Sequence, residues 1–189
     1  MKFLIRPLRP DDAQAFREIW LESLCYYGEM LADFHDQESQ KPSSHWVEQC
    51  TETMTRCWFG SFTEAGQLVG IQGIRLWEDS PDVPVALWWG NYAREEYRGI
   101  GAMRKLYETR LAWARMRACH HCVVYVLEGK KRPLQIILKL GAEKLYTRTR
   151  RYGNGPETVW HWYKVPLWMN DEDASSEEDI TERRHSVAA

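Results

Sequence analysis

The run Arg98-Gly99-Ile100-Gly101-Ala102-Met103 constrains this chain more than any other feature. It separates a strand-like stretch, residues 84–93, from an amphipathic helical pattern over residues 102–118. In that pattern Met103, Leu106, Tyr107, Leu111 and Ala114 share one face. Glycines at the junction let the backbone turn sharply and approach a ligand closely. The first N–H groups of the following helix have no intrahelical acceptor and carry the positive end of its dipole. Strand, turn and helix in series therefore make a site for an anion of the pyrophosphate type, to which Arg98 adds a forked cationic donor.

The surrounding elements follow from periodicity and turn chemistry. Residues 3–8 read as a short strand. Asp11 is the expected N-cap of a first helix, with Ala13, Phe16, Ile19, Trp20 and Leu24 at helical spacing. From Cys25 to Pro42 the pattern fades into polar residues. Ser43-Ser44 opens a second helix carrying Trp46, Val47, Cys50 and Met54 on one side. Residues 57–63 and 68–77 form a hairpin across Glu64-Ala65-Gly66-Gln67, and an acidic loop leads to the strand before the glycine turn. After the long helix come a buried strand (122–127), a short helix (132–140) stopped by Gly141, and a final hairpin from 143–152 and 158–165. This β-α-α-β-β-β-α-β-α-β-β order mixes hairpins with helical crossovers, which implies an α/β (α+β) fold with a mixed sheet under helices.

Composition bounds the rest. A length of 189 residues suits one domain, expected over residues 1–168. Residues 169–189 form an acidic tail that lacks the apolar content to fold and is expected to be disordered. The net charge of −2 provides no global field for nucleic acid or anionic membrane. No apolar run approaches the ~20 residues of a membrane span. Lys2, Arg6 and Pro7 interrupt the stretch where a signal peptide would be apolar. Five cysteines without framework spacing point to a reducing compartment, and the expected location is cytoplasmic. Cys119-His120-His121-Cys122 holds ligand-type residues, but consecutive positions entering a strand point to opposite faces, so no metal site is expected.

The segment Glu95-Glu96-Tyr97-Arg98-Gly99-Ile100-Gly101-Ala102-Met103, continuing into Leu106-Tyr107-Glu108, resembles the signature Q/R-x-x-G-x-G/A of the GCN5-related N-acetyltransferase (GNAT) superfamily. The element order agrees over residues 2–165. The resemblance implies a mostly antiparallel sheet of about seven strands flanked by about four helices. Met103 stands where the signature has its last glycine or alanine. A register two residues earlier would start on Glu96 and end on Gly101, but it places Arg104 and Lys105 where the helix needs apolar residues. In the family's later segment Lys130 replaces an asparagine, and Ile137 replaces the tyrosine that often protonates the coenzyme thiolate. Lys130 and Lys131 either meet the phosphates or form a solvated helix start.

What the resemblance implies is an acetyl-CoA-dependent N-acetyltransferase, in which a primary amine attacks the thioester directly. The coenzyme residues carried over are Asn91, Tyr92, Ala93, Arg98, Gly99, Ile100, Gly101, Ala102, Met103 and Lys130. Many members place a glutamate on the fourth strand as a base, whereas residues 85–93 here hold no carboxylate. The remaining candidates are Glu128, and Tyr92 or Asn91 ordering a water, with Tyr152 and Tyr163 as further acids. Glu29, Asp33, Asp36, Glu78, Asp79 and Asp82 would attract a cationic acceptor that Trp77, Trp88 and Trp89 would wall. The blander reading is of solvated loops and core aromatics. Arg148, Arg150 and Arg151 argue for an acidic or nucleic-acid acceptor. The expected partner is a small-molecule or peptide amine, not a membrane or nucleic acid, with a homodimer as a further expectation. The rival reading, prompted by Met103 and Ile137, is a non-catalytic binding module with a degraded coenzyme site.

Overall fold

Seven stretches rich in β-branched and aromatic residues pair into one sheet in the order β1-β2-β3-β4-β5-β7-β6. The computed structural model describes residues 2–26, 32–78, 83–151 and 154–167. The strands are β1 Leu4–Pro7, β2 Arg56–Phe62, β3 Leu68–Leu76, β4 Val85–Ala93, β5 His121–Leu127, β6 Glu143–Arg151 and β7 Glu157–Pro166. The helices are α1 Ala13–Cys25, α2 Ala32–Ser39, α3 Ser43–Gln49, α4 Arg104–Met116 and α5 Lys131–Lys139. Every strand pair is antiparallel except β4–β5. That pair is joined through α4, as a parallel connection requires. None of the described helices is long and apolar enough to cross a membrane.

The sheet separates two cores. On one face α4 and α5 cover Ile74, Trp88, Val124 and Val165 with Leu106, Leu111, Trp113 and Ile137. On the other, α1 and α3 cover Trp58, Phe62 and Ile71 with Phe16, Ile19 and Trp46. β2 and β3 are buried along nearly their whole length, which explains their continuous apolar character. β6 closes one edge and is exposed along almost all of its length.

Several boundaries differ from the sequence reading. Among the described residues there are five α-helices where the sequence pattern marks four, because α2 forms where the apolar pattern fades. It docks on α1 through one apolar side chain, Phe34, clustered with Trp20, Leu21 and Leu24, and through polar contacts: Trp20 Nε1 donates to Glu38 (3.0 Å) and Arg17 donates to the Ser39 carbonyl (3.1 Å). Such contacts leave no apolar period to read. Asp11 does not cap α1. The N-cap is Asp12, and its carboxylate turns back to accept from Arg6 (2.6 and 2.9 Å) and the Arg9 N–H (2.7 Å). α3 ends before Met54, which is 81% exposed, and Val47 also faces outward. α4 starts at Arg104, two residues later than its pattern suggests, because the glycine turn extends through Met103. Trp168 and the acidic tail lie outside the described residues.

Candidate functional site

The site begins with an irregularity in β4. Tyr92 pairs with Ile71 and Trp89 with Gly73, so three steps along β4 match two along β3. The extra residue is a bulge, which bends its strand. Gly90 sits there with φ +62, and a Cβ on it would lie 2.2 Å from Trp58 Cη2. Only glycine fits both the backbone and the space. An isolated glycine inside a strand pattern was the available signal for this bulge. On the opposite edge of β4 the parallel pairing with β5 stops at Trp88↔Val124. Both strands continue past that point, to Ala93 and Leu127, without pairing to each other. They part there.

A cleft of about 350 Å³ opens at the parting. Asn91, Tyr92 and Ala93 of β4 form one wall, and Arg98, Gly99, Met103 and Tyr107 continue it into α4. Gly129, Lys130, Lys131, Arg132, Pro133 and Ile136 form the facing wall at the start of α5, and Tyr26 closes one end. Among the described residues that line it, four are cationic (Arg98, Lys130, Lys131, Arg132) and none is acidic. The N-termini of α4 and α5 both start at this cleft, so two helix dipoles add to the positive field.

Most of the residues carried over from the glycine-turn motif meet here: Asn91, Tyr92, Ala93, Arg98, Gly99, Met103 and Lys130 all line the cleft. Ile100, Gly101 and Ala102 do not. Ile100 is exposed and Ala102 fully buried, while Gly101 adopts φ +93 in the turn. The Met103 sulfur lies 3.3 Å from where a Cβ on Gly70 would stand, so its side chain packs toward β3. Asn91 Oδ1 is buried without a hydrogen-bond partner. An orphaned acceptor of this kind suits an incoming N–H donor. Arg98 Nε donates to the Ala93 carbonyl (2.8 Å), and its guanidinium lies 4.7 Å from the Tyr26 ring centroid.

Sequence reasoning missed Tyr26, Tyr107, Arg132 and, most consequentially, Glu22. From α1, Glu22 accepts the Tyr92 hydroxyl at 2.8 Å and pairs with Arg94 Nε at 2.9 Å. Burial first, and then the hydrogen bond to Glu22, push the Tyr92 hydroxyl up to about 12. A glutamate on the polar side of an amphipathic helix carries no signal of this contact in the sequence.

Other expected residues lie elsewhere. Glu128 does not line the cleft; its carboxylate is 3.5 Å from His161 Nε2. The other His161 nitrogen lies 3.0 Å from Thr147 Oγ1. Tyr163 and Ile137 are buried in the α4 core, so neither presents a group to the cleft. Trp88 is fully buried, Trp89 packs on Trp58, and Trp77 stacks on Trp162, so these three pack within the fold and none lines the cleft. Asp36 is exposed beside His35, and Glu78 is exposed. Arg148 and Arg150 lie over the Trp162 ring, while Arg151 pairs with Glu157. Glu29, Asp79, Asp82, Tyr152 and the side chain of Asp33 lie outside the described residues.

Among solved structures the chain is similar to the yncA protein of Salmonella typhimurium, determined with its cofactor acetyl-CoA. The TM-score is 0.72 at 15% identity, covering 90% of this chain and 96% of that one. It is also similar to Arabidopsis thaliana NAA60 in complex with a bisubstrate analogue, with TM-score 0.69, 10% identity, and coverage of 89% and 100%. Ribosomal-protein-alanine N-acetyltransferase from Brucella melitensis gives TM-score 0.67 at 19% identity, covering 86% and 99%. These likenesses show the shared fold. Comparison with the sequences of curated proteins gives no significant match. Over residues 14–141 the chain matches the family described as the acetyltransferase (GNAT) family, and it belongs to that family.

Proposed function

We propose that this protein moves the acetyl group of acetyl-CoA to a primary amine, by direct attack of the amine on the thioester, in the cleft where β4 and β5 part. The observation that carries this reading is the parting itself: parallel pairing ends at Trp88↔Val124, directly beside four cationic residues and two helix N-termini. The backbone of residues 91–93 and Asn91 Oδ1 would hold the pantetheine arm. Arg98, Lys130 and the N–H groups of Gly99, Ile100, Gly101, Ala102 and Met103 would hold the pyrophosphate. Arg98 gives up its bond to the Ala93 carbonyl as the arm enters, which frees both groups for the ligand.

The acceptor is a small-molecule or peptide amine that enters from the α1 side, where Tyr92 and Tyr26 lie. Five free cysteines, four of them buried, support a reducing, cytoplasmic setting. The exposed β6 edge supports a homodimer.

The test is acetyl-CoA titration by calorimetry and thermal shift. It is followed by thiol-release assays with polyamines, aminoglycosides, free amino acids and peptides. Binding to the native state must raise the melting temperature. Neither heat nor shift with acetyl-CoA would refute the reading and favour a non-catalytic role.

A further inference from the structure

We infer that Glu22 supplies from α1 the carboxylate that β4 lacks, and that Glu22 and Tyr92 together form the proton relay for the attacking amine. This rests on the acetyl transfer proposed above. The geometry sets the direction of the relay. An ionised carboxylate has no proton to give, so in the 2.8 Å contact Tyr92 Oη must be the donor and Glu22 Oε1 the acceptor. The Tyr92 proton is therefore committed to α1, and its oxygen, which Arg98 also reaches, keeps a lone pair for a donor in the cleft that Tyr92 lines. Tyr92 thus accepts a proton from the amine and does not donate one to the departing thiolate.

The two residues are separated by 70 positions in the chain and held together by a second tie, the 2.9 Å pair between Glu22 Oε2 and Arg94. Among the described residues, the charged and titratable groups around the relay include Arg94 beyond β4, Arg98 from the turn, the Tyr26 ring at 6.1 Å from that of Tyr92, and Lys130, whose Nζ lies 4.9 Å from the Tyr26 ring. Arg98 faces Tyr92 with its ring 5.5 Å away and favours the phenolate, whereas burial and Glu22 oppose it. Tyr92 passes the proton on without holding charge.

In the transfer, the neutral amine's lone pair forms the C–N bond at the thioester carbon while the carbonyl π pair moves onto oxygen, to return when the C–S bond breaks, and the nitrogen becomes acidic. An N–H bond breaks, its proton passing to Tyr92 Oη while the Tyr92 proton passes to Glu22 Oε1. The C–S bond then breaks with its electron pair leaving on sulfur.

The test uses Glu22→Gln, Tyr92→Phe and the double variant, with ethylamine and 2,2,2-trifluoroethylamine as probe acceptors of matched length and unequal basicity. In Glu22→Gln the new amide retains both contacts but donates its N–H to Tyr92, which reverses the relay without opening the fold. Removal of a general base costs roughly 100-fold or more in kcat. Glu22→Gln is expected to show about that loss with ethylamine, with acetyl-CoA affinity unchanged within about twofold. The loss narrows with trifluoroethylamine, whose addition intermediate sheds its proton more readily. The double variant falls no further than Tyr92→Phe alone. A Glu22→Gln enzyme at wild-type rate, equal losses for the two amines, or additive losses each overturn the relay, as does a wild type that binds acetyl-CoA but acetylates neither amine. If Glu22→Gln does not fold, the unequal loss in Tyr92→Phe decides the matter. A wild type that does not bind acetyl-CoA refutes the acetyl-transfer reading instead.

Discussion

Replacing Gly90 with alanine tests whether the bulge in β4 makes the cleft. The new Cβ would stand 2.2 Å from Trp58 Cη2 and 2.6 Å from Cζ3, at a residue with φ +62. Trp58 cannot retreat, because Phe16 (4.8 Å), Trp89 (5.1 Å) and Trp20 (5.4 Å) pack its ring. A left-handed backbone costs a non-glycine residue about 1–2 kcal/mol. Overpacking a dense core costs about 1–3 kcal/mol more. The sum, about 2–5 kcal/mol, is a large part of the ~5–15 kcal/mol that holds a domain folded. For a chain of this size it lowers Tm by about 4–20 °C. Gly66→Ala separates the two contributions, since Gly66 has φ +81 but nothing within 4 Å of its Cβ position, and it should show only the backbone cost. Urea unfolding and acetyl-CoA calorimetry on both variants provide the assay. Relief of the clash requires β4 to shift at Asn91–Ala93, so Gly90→Ala also loses acetyl-CoA affinity, whereas Gly66→Ala keeps it. A Gly90→Ala protein within about 0.5 kcal/mol of wild type, binding acetyl-CoA normally, would refute the argument.

Four further predictions concern charge and burial. Arg110 is fully buried against Trp88 (4.1 Å), with only a 3.4 Å bond to the Gly73 carbonyl and two guanidinium nitrogens unpartnered. Arg110→Met keeps the volume and removes an uncompensated charge, so it should leave stability unchanged or raise it by about 1–4 kcal/mol; a loss measured by urea unfolding contradicts this. Lys130→Gln with Lys131→Gln removes two cations from the cleft and should weaken acetyl-CoA binding about tenfold at low salt, with a flatter salt dependence, by calorimetry. Unchanged affinity would make these lysines a solvated helix start. Burial pushes Cys50, Cys57 and Cys122 up to about 12. The native state therefore holds these protons after the unfolded chain has lost them, and stability is complete below about pH 8.5 and falls as pH rises toward 12. Iodoacetamide at pH 8 should label Cys25 alone in the native protein, since the other four are buried. Rapid labelling of a second cysteine without unfolding would overturn that account.

The chain itself determined what depends on neighbours in sequence. The glycine turn with its flanking strand and helix, all seven strands, and the placing of Asn91, Tyr92, Ala93, Arg98, Gly99 and Met103 at the cleft are set by local periodicity and by backbone freedom at Gly99 and Gly101. Helix α2 escaped because one apolar side chain, Phe34, and polar contacts hold it to α1, and such a set leaves no apolar period. The tertiary structure alone decided where β4 leaves β5. Gly90 marks a bulge in the sequence, but the register shift it makes shows only once β3 and β4 pair. It also decided which carboxylate reaches the site. β4 has none, and Glu22 arrives across 70 residues because α1 packs over the end of β4. Proximity of that kind is a property of how faces pack, and no spacing along the chain encodes it.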